Sequence, residues 1–406
     1  MPDFFKTFLH QDILDLGRSP LPVVRLAAFG KHPAWNDHME DINLDTLALL
    51  EAKRYLYLQG ISGQIDTGAW DPPPPRATQD AGLRTQNSGQ GTRDAPPASG
   101  IPQSAFRIPH FNHWLLWHRP GEILLGRLLA STDGKGRARY PLVILAHIIN
   151  LPLAPALDTL APLIDEAARA ARAATTPDAV RRVIHETRAR LNTLAQNAPD
   201  SAAPLPDGLR PTLTPTGWTR FYHALETQLR PFAPGERLDT STPCRHLRLP
   251  AAGATPLQSL LWWNACLLTQ LAPQSPLLLI APEGADQPDQ PGHAYPQSPF
   301  TNPKSKIQNP KFLDLIVGEP ASPHFRCLLT SLSALPVVTD TPYEVAPDIM
   351  QFTNEFLQNP GPGLLPNRSL FRPKPPTLDA ALATIATRAG LAHAVRPPGF
   401  LGKLFG

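Results

Sequence analysis

The chain has 406 residues, 37 of them basic and 34 acidic, for a net charge of +3. So even a balance gives no electrostatic case for a nucleic-acid protein, whose footprint is a marked basic excess. The 50 prolines and 26 glycines, set against only 17% charged residues, imply compact apolar parts interrupted by long irregular stretches, because proline removes a backbone donor and breaks helix and sheet interiors.

The length suits two domains, or one domain with large insertions. Three cysteines, Cys244, Cys266 and Cys327, form no closely spaced pair. Neither a disulfide framework nor a zinc knuckle is therefore expected, and Cys266 and Cys327 read as core residues. The start, Met1-Pro2-Asp3-Phe4-Phe5-Lys6, lacks the basic head and apolar run of a signal peptide. The longest apolar runs, 142–149 and 277–281, fall well short of the about 20 residues that a bilayer span needs. A cytoplasmic protein is expected.

In chain order, residues 21–29 contain Val23, Val24, Leu26 and Ala28, a strand-like run ending at Gly30. Residues 44–58 carry Leu44, Leu47, Leu50, Tyr55 and Leu58 at helical spacing, with Asp41 or Asn43 as N-cap and Gly60 as stop. A proline- and glycine-rich insertion, 71–104, has almost nothing to bury and is expected to be unstructured. Trp114-Leu115-Leu116-Trp117, the run 123–129 and the run 142–149 then predict an antiparallel meander. Its second turn, Asp133-Gly134, is expected to supply a left-handed backbone.

Residues 156–174 and 178–198 predict a helical hairpin. Leu157, Leu160, Leu163 and Ile164 line one helix, and Val180, Val183, Ile184, Leu191 and Leu194 the other. Thr176 is the expected N-cap, with Pro177 in the first turn. A further helix is predicted over 218–229 and another over 257–271, where Trp262 and Trp263 point about 100° apart. One indole is expected in the core and its neighbour at a surface. Residues 277–281 and 313–317 read as strands, 283–310 as a second unstructured insertion, and 378–394 as a last amphipathic helix.

The fold expected is α/β of the α+β kind: a central, largely antiparallel sheet flanked by helices, with a helical hairpin and two disordered insertions. The divisions are an N-terminal α/β region (1–150), the hairpin with a proline-rich connection (151–244), a C-terminal α/β region (245–345) and a closing segment with helix and apolar tail (346–406).

Histidines and acids cluster at His32, Asp37, His38, Glu40 and Asp41, and again at His110, His113 and His118. Such donors could hold a metal for a hydrolase. The His110-x-x-His113 spacing matches neither a helical zincin pair nor a knuckle, however, and Trp114 and Trp117 beside it indicate packing. Gly30-Lys31 and Gly134-Lys135-Gly136-Arg137 could approach phosphate, yet Lys135 is followed by Gly136 and not by the Ser or Thr of a P-loop. No Gly-x-Ser-x-Gly elbow occurs. No cofactor and no metal are expected.

The loops 31–37 and 133–139 each leave or enter a predicted sheet strand, so they are expected to lie together. Lys31, Asp37, Asp133, Lys135, Arg137 and Arg139 would then form one charged patch, with an ion pair to Arg137 as a simple brace of the turns. The tail after Pro398 ends in Phe400, Leu401, Leu404 and Phe405. One helical turn would present these four to a groove, on a partner or on the chain itself.

Three blocks resemble the TagF/ImpM family, proteins that accompany bacterial type VI secretion systems. The first is Gly30-Lys31-His32-Pro33 with Asp37, where Asn36 stands in place of the family's second glycine. The second is Ser131-Thr132-Asp133, Gly136-Arg137 and Tyr140-Pro141-Leu142, with Ala138 and Arg139 intervening where the family has one residue. The third is Ser259 with Trp262-Trp263, then Gly318-x-Pro320 and Phe325-x-x-Leu328-Leu329. The resemblance implies a compact α/β fold and a non-catalytic, cytoplasmic repressor that binds secretion-system proteins, among them a forkhead-associated scaffold protein. It spans neither the insertions nor the helical hairpin.

Overall fold

The computed structural model describes residues 21–68, 111–198, 211–236, 238, 242–283, 312–328, 335–340 and 347–358. Its strands are β1 (Val23–Gly30), β2 (Asn112–Arg119), β3 (Glu122–Ala130), β4 (Pro141–Ile149), β5 (Arg245–Pro250), β6 (Leu277–Pro282) and β7 (Phe312–Val317). They form one seven-stranded sheet in the order β1-β4-β3-β2-β6-β7-β5, with every ladder antiparallel. The six expected strands are all present in this single sheet, and β2–β3–β4 is the expected meander.

Helices cover both faces of the sheet. This explains why β4 reads as one apolar run where a half-exposed strand would alternate. On one face lie α1 (Leu47–Ala52), a π-helical continuation (Lys53–Ser62) and a final turn, α2 (Gly63–Asp66). Their Leu49, Leu56 and Ile61 pack with Phe29, Leu115, Leu145 and Ile316 of the sheet. The opposite face is covered by α3 (Leu153–Pro155), a π turn (Ala156–Leu160), α4 (Ala161–Ala173), α5 (Pro177–Gln196), α6 (Pro215–Gln228) and α7 (Pro256–Leu268). Leu160, Ile164, Val180, Ile184, Phe221 and Trp263 meet Leu26, Leu125, Ile144 and Leu279 there. The last described helix, α8 (Pro347–Gln358), packs beside α6.

The hairpin α4–α5 forms as expected. The Thr176 hydroxyl accepts from the Ala179 N–H, and Pro177 opens α5. Leu194 departs from the expected apolar face and is exposed, because it sits in the last turn of the helix. The hairpin also seals an open edge. Asn192 of α5 donates to the Val24 carbonyl at 2.7 Å and accepts from the Val24 N–H at 2.9 Å. Ala28 exchanges two backbone bonds with Ile42. Edge strand β1 is thereby closed to further pairing.

Three local expectations are corrected. The N-cap of α1 is Thr46, whose hydroxyl accepts from Leu49, and neither Asp41 nor Asn43; Asn43 instead takes a left-handed φ of 56°. Gly60 does not stop that helix, which runs on to Asp66. The glycine serves close approach: a Cβ there would lie 2.6 Å from the Phe325 ring. Trp262 and Trp263 are both fully buried. Helix α7 has the strands β6 and β2 beneath it and the aromatic side of α6 alongside, so both directions are interior. Trp262 meets Trp218 at 5.8 Å between ring centroids, and Trp263 meets Phe221 at 4.8 Å.

The second insertion was expected to begin at residue 283, yet Glu283 is anchored: its carboxylate lies 2.5 Å from Nη2 of the buried Arg127, and its N–H donates to the Asn112 carbonyl. The rest of both insertions, the helix expected over 378–394 and the tail lie outside the described residues. Strand β5 and helix α8 are elements the sequence reading lacks. Among the described residues no helix is long and apolar enough to cross a membrane.

Candidate functional site

The loops that carry the first two sequence blocks sit side by side because their strands pair. Gly30 at the end of β1 lies opposite Leu142 at the start of β4. The chain leaving β1 and the chain entering β4 therefore emerge at one end of the sheet. The Lys31 N–H donates to the Pro141 carbonyl, and Gly134 donates to the Trp35 carbonyl at 2.6 Å, joining the loops through backbone. Glycine at 134 permits that approach, since a Cβ would lie about 3 Å from the carbonyls of Pro33 and Trp35. The left-handed residue of the turn is Gly136, at φ 77°, and not the Asp133-Gly134 step expected.

Asp133 organises the second loop. Its Oδ1 accepts from the backbone N–H groups of Lys135 and Arg137, both at 3.0 Å. Its Oδ2 accepts from Lys31 Nζ and Arg137 Nε, both at 2.6 Å. Lys31 also reaches Asp37 at 3.2 Å, and Arg137 Nη2 donates to Asp37 Oδ1 and to the Asn36 carbonyl, each at 3.1 Å. Two cations and two carboxylates thus close a four-membered ion cluster across the loops. Lys31 and Asp133 are buried, whereas the side chains of Arg137 and Asp37 are 51% and 67% exposed.

The electrostatics follow from these contacts. Burial opposes the charge on Asp133, but the bonds from Lys31 and Arg137 outweigh it and hold this carboxyl well below the usual carboxylate range. Asp37 is lowered as well, chiefly by the Lys31 hydrogen bond.

An aromatic floor supports the cluster; the sequence reading named Tyr140 and His38 for other reasons, and missed Tyr57 and the packing of the three. Lys31 Nζ lies 5.7 Å over the Tyr140 ring. Tyr140 packs against His38 and Tyr57, at 5.0 and 5.6 Å between centroids, and His38 Nδ1 lies 3.1 Å from the Tyr57 hydroxyl. An aromatic residue placed just before the first residue of β4 was the available signal.

The hairpin buttresses the first loop from the other side. The His32 ring accepts from the Ala34 N–H through Nδ1, so its Nε2–H donates to the Ala171 carbonyl of α4 at 2.7 Å. Arg181 of α5 pairs with Glu40, and Arg188 with Asp45 at 2.8 Å.

Of the residues expected in the charged patch, Lys31, Asp37, Asp133 and Arg137 come together. Lys31 and Asp133 lie inside, as a brace, and not on the surface. Lys135 and Arg139 stand exposed on the rim of the same loop. Phe400, Leu404 and Phe405 lie outside the described residues. The potential metal donors are dispersed: His32 holds α4, His38 holds Tyr57, Glu40 pairs with Arg181 and Asp41 with Lys53 at 2.6 Å. His113 is buried on β2, His118 is half-buried, and His110 lies outside the described residues. Burial pushes the His113 pKa down to about 4.

Ser259, Trp262 and Trp263 of the third block are core residues. The Ser259 hydroxyl bonds both backbone groups of Ala252, at 2.9 and 2.7 Å, and Trp263 Nε1 donates to the Pro250 carbonyl. Neither a protein-family model nor a curated protein matches this chain.

Proposed function

We propose that this chain is a non-catalytic regulator of a type VI secretion system, acting in the cytoplasm as a post-translational repressor by binding other proteins of that machine. The paired loops are its contact surface, and a forkhead-associated scaffold protein is the partner that the TagF/ImpM resemblance suggests. One observation supports the reading. The two loops that carry the resemblance, far apart in sequence, are locked together by Lys31, Asp37, Asp133 and Arg137, and Lys135 and Arg139 lie exposed on their rim. A buried brace beneath an exposed polar rim is what a preorganised recognition surface requires, because loops already ordered lose less entropy on binding.

The reading is tested by deleting the gene in its host and following sheath assembly and secretion of the tube subunit. Assembly should rise in the deletion strain and return to its original level on complementation. Unchanged assembly and secretion would overturn the assignment.

A further inference from the structure

The sheet face that carries α1 holds a second polar group, remote from the paired loops, at the edge formed by β5 and β7. Alternation along β7 directs Leu313, Leu315 and Val317 into the helix-covered core on one side, and Asp314 and Ile316 to the other. His246 and Arg248 of β5 share Asp314's side, and the 3-10 helix Ser322–Leu328 brings Cys327 over them. An imidazole nitrogen of His246, a carboxylate oxygen of Asp314 and the sulfur of Cys327 all lie within 4.8 Å of one another. Asp314 and Cys327 are buried, and His246 opens the group to solvent at one side.

We propose that His246, Asp314 and Cys327 form a zinc site. The donor set of one sulfur, one nitrogen and one oxygen suits zinc, and its sulfur disfavours magnesium and calcium, which take oxygen cages. The three donors come from separate elements, so the tertiary fold itself makes the group. Arg248 performs the orienting role that outer partners have in metal sites. Its Nε and Nη2 grip Asp314 Oδ1 and Oδ2 at 3.2 and 3.1 Å, and its guanidinium stacks 4.0 Å from the Phe312 ring centroid.

The remaining approach to Oδ1 is occupied by His246 Nε2 at 2.9 Å. A zinc ion would take the place of the proton in that bond. Zinc–nitrogen and zinc–oxygen bonds near 2.1 Å at a tetrahedral angle set the two atoms about 3.4 Å apart, so the pair would open by about 0.5 Å. As a ligand through Nε2, the imidazole of His246 carries its proton on Nδ1, and the thiol of Cys327 releases its proton to solvent. Burial pushes that thiol well up, so it stays protonated until a cation draws the thiolate out. Zinc with one thiolate and one carboxylate is neutral, and the position left open on the ion is filled by water.

The experiment uses the full chain, stripped with chelator and titrated with cobalt and then zinc. A thiolate-to-cobalt charge-transfer band should appear at one equivalent, and zinc should abolish it. Cys327→Ser should lose the band, Cys244→Ser should keep it, and His246→Gln should weaken metal affinity about tenfold or more. Zinc should raise the melting temperature of the wild type and of Cys244→Ser, and leave that of Cys327→Ser unchanged. A wild type that develops no band, or a Cys327→Ser variant that retains it, overturns the site. Should Cys327→Ser fail to fold, the wild-type spectrum and the His246→Gln affinity decide the matter by themselves.

Discussion

Lys31 Nζ and Asp133 Oδ2 meet in the interior at 2.6 Å, although 102 residues of chain separate them. The bond ties the exit of β1 to the loop that enters β4, so the ends of two paired strands are fastened by side chains as well as by the ladder. Asp133 bonds two cations and two backbone N–H groups, and Lys31 bonds two carboxylates. Asp133 is therefore the less replaceable partner.

Truncation should follow that order. Asp133→Ala leaves Lys31 buried with only the exposed Asp37 as partner, and two loop N–H groups without the acceptor they have now. Its loss of stability should be about 3 kcal/mol or more. Lys31→Met leaves Asp133 with Arg137 and the backbone donors, so the loss is smaller. Arg137→Ala, at an exposed position, should lose least. Urea unfolding of the three variants reads the ranking; a Lys31→Met loss exceeding that of Asp133→Ala would refute it.

Acid should act through the same cluster. Asp133 and Asp37 have folded pKa values below the unfolded one, so the unfolded state binds more protons as pH falls past about 4. Their stabilisation is present above that pH and is lost progressively below it. Unfolding free energies measured through the acid range should therefore fall less steeply for Asp133→Asn than for the wild type.

His113 governs a separate window. Its folded pKa is about 4 because burial disfavours the charged ring, whereas the unfolded value is near 6.5. The folded state resists protonation between these limits, so stability declines as pH drops through them, by about 3 kcal/mol for this residue. His113→Leu should flatten that limb of the stability curve whatever its effect at neutral pH. A slope identical to that of the wild type would count against it.

The π-helical segment makes a steric prediction. Gly60→Ala places a methyl group 2.6 Å from the Phe325 ring, and overpacking of this kind costs about 1–3 kcal/mol. Adding Phe325→Leu should recover part of that loss, so the two changes should couple favourably in a double-mutant cycle. Strict additivity would mean that the glycine has some other purpose.

Much of the fold was legible because the sheet is buried on both faces, so strands such as β4 appear as unbroken apolar runs. Strand β5 escaped for the opposite reason. Arg245, His246 and Arg248 make it look like a polar loop, and only the fold reveals Asp314 of β7 as the group that receives two of them. Adjacency of the loops at 31–37 and 133–139 followed from strand-end geometry. Their inward-turned charges did not, since no local pattern tells Lys31, which is buried, from Lys135, which is exposed. The tryptophan pair misled because helical angle alone cannot report a helix with neighbours on two sides.

The central claim is that the rim above this brace binds a partner, and calorimetric titration with the forkhead-associated scaffold protein tests it most directly. The variant Lys135→Glu should melt within a few degrees of the wild type, as exposed substitutions usually do. Its affinity for the scaffold should be weaker by about tenfold or more, with the wild-type interaction itself declining as salt is raised. A wild-type chain that does not bind the scaffold, or a Lys135→Glu chain that binds it with unchanged affinity, would contradict the account.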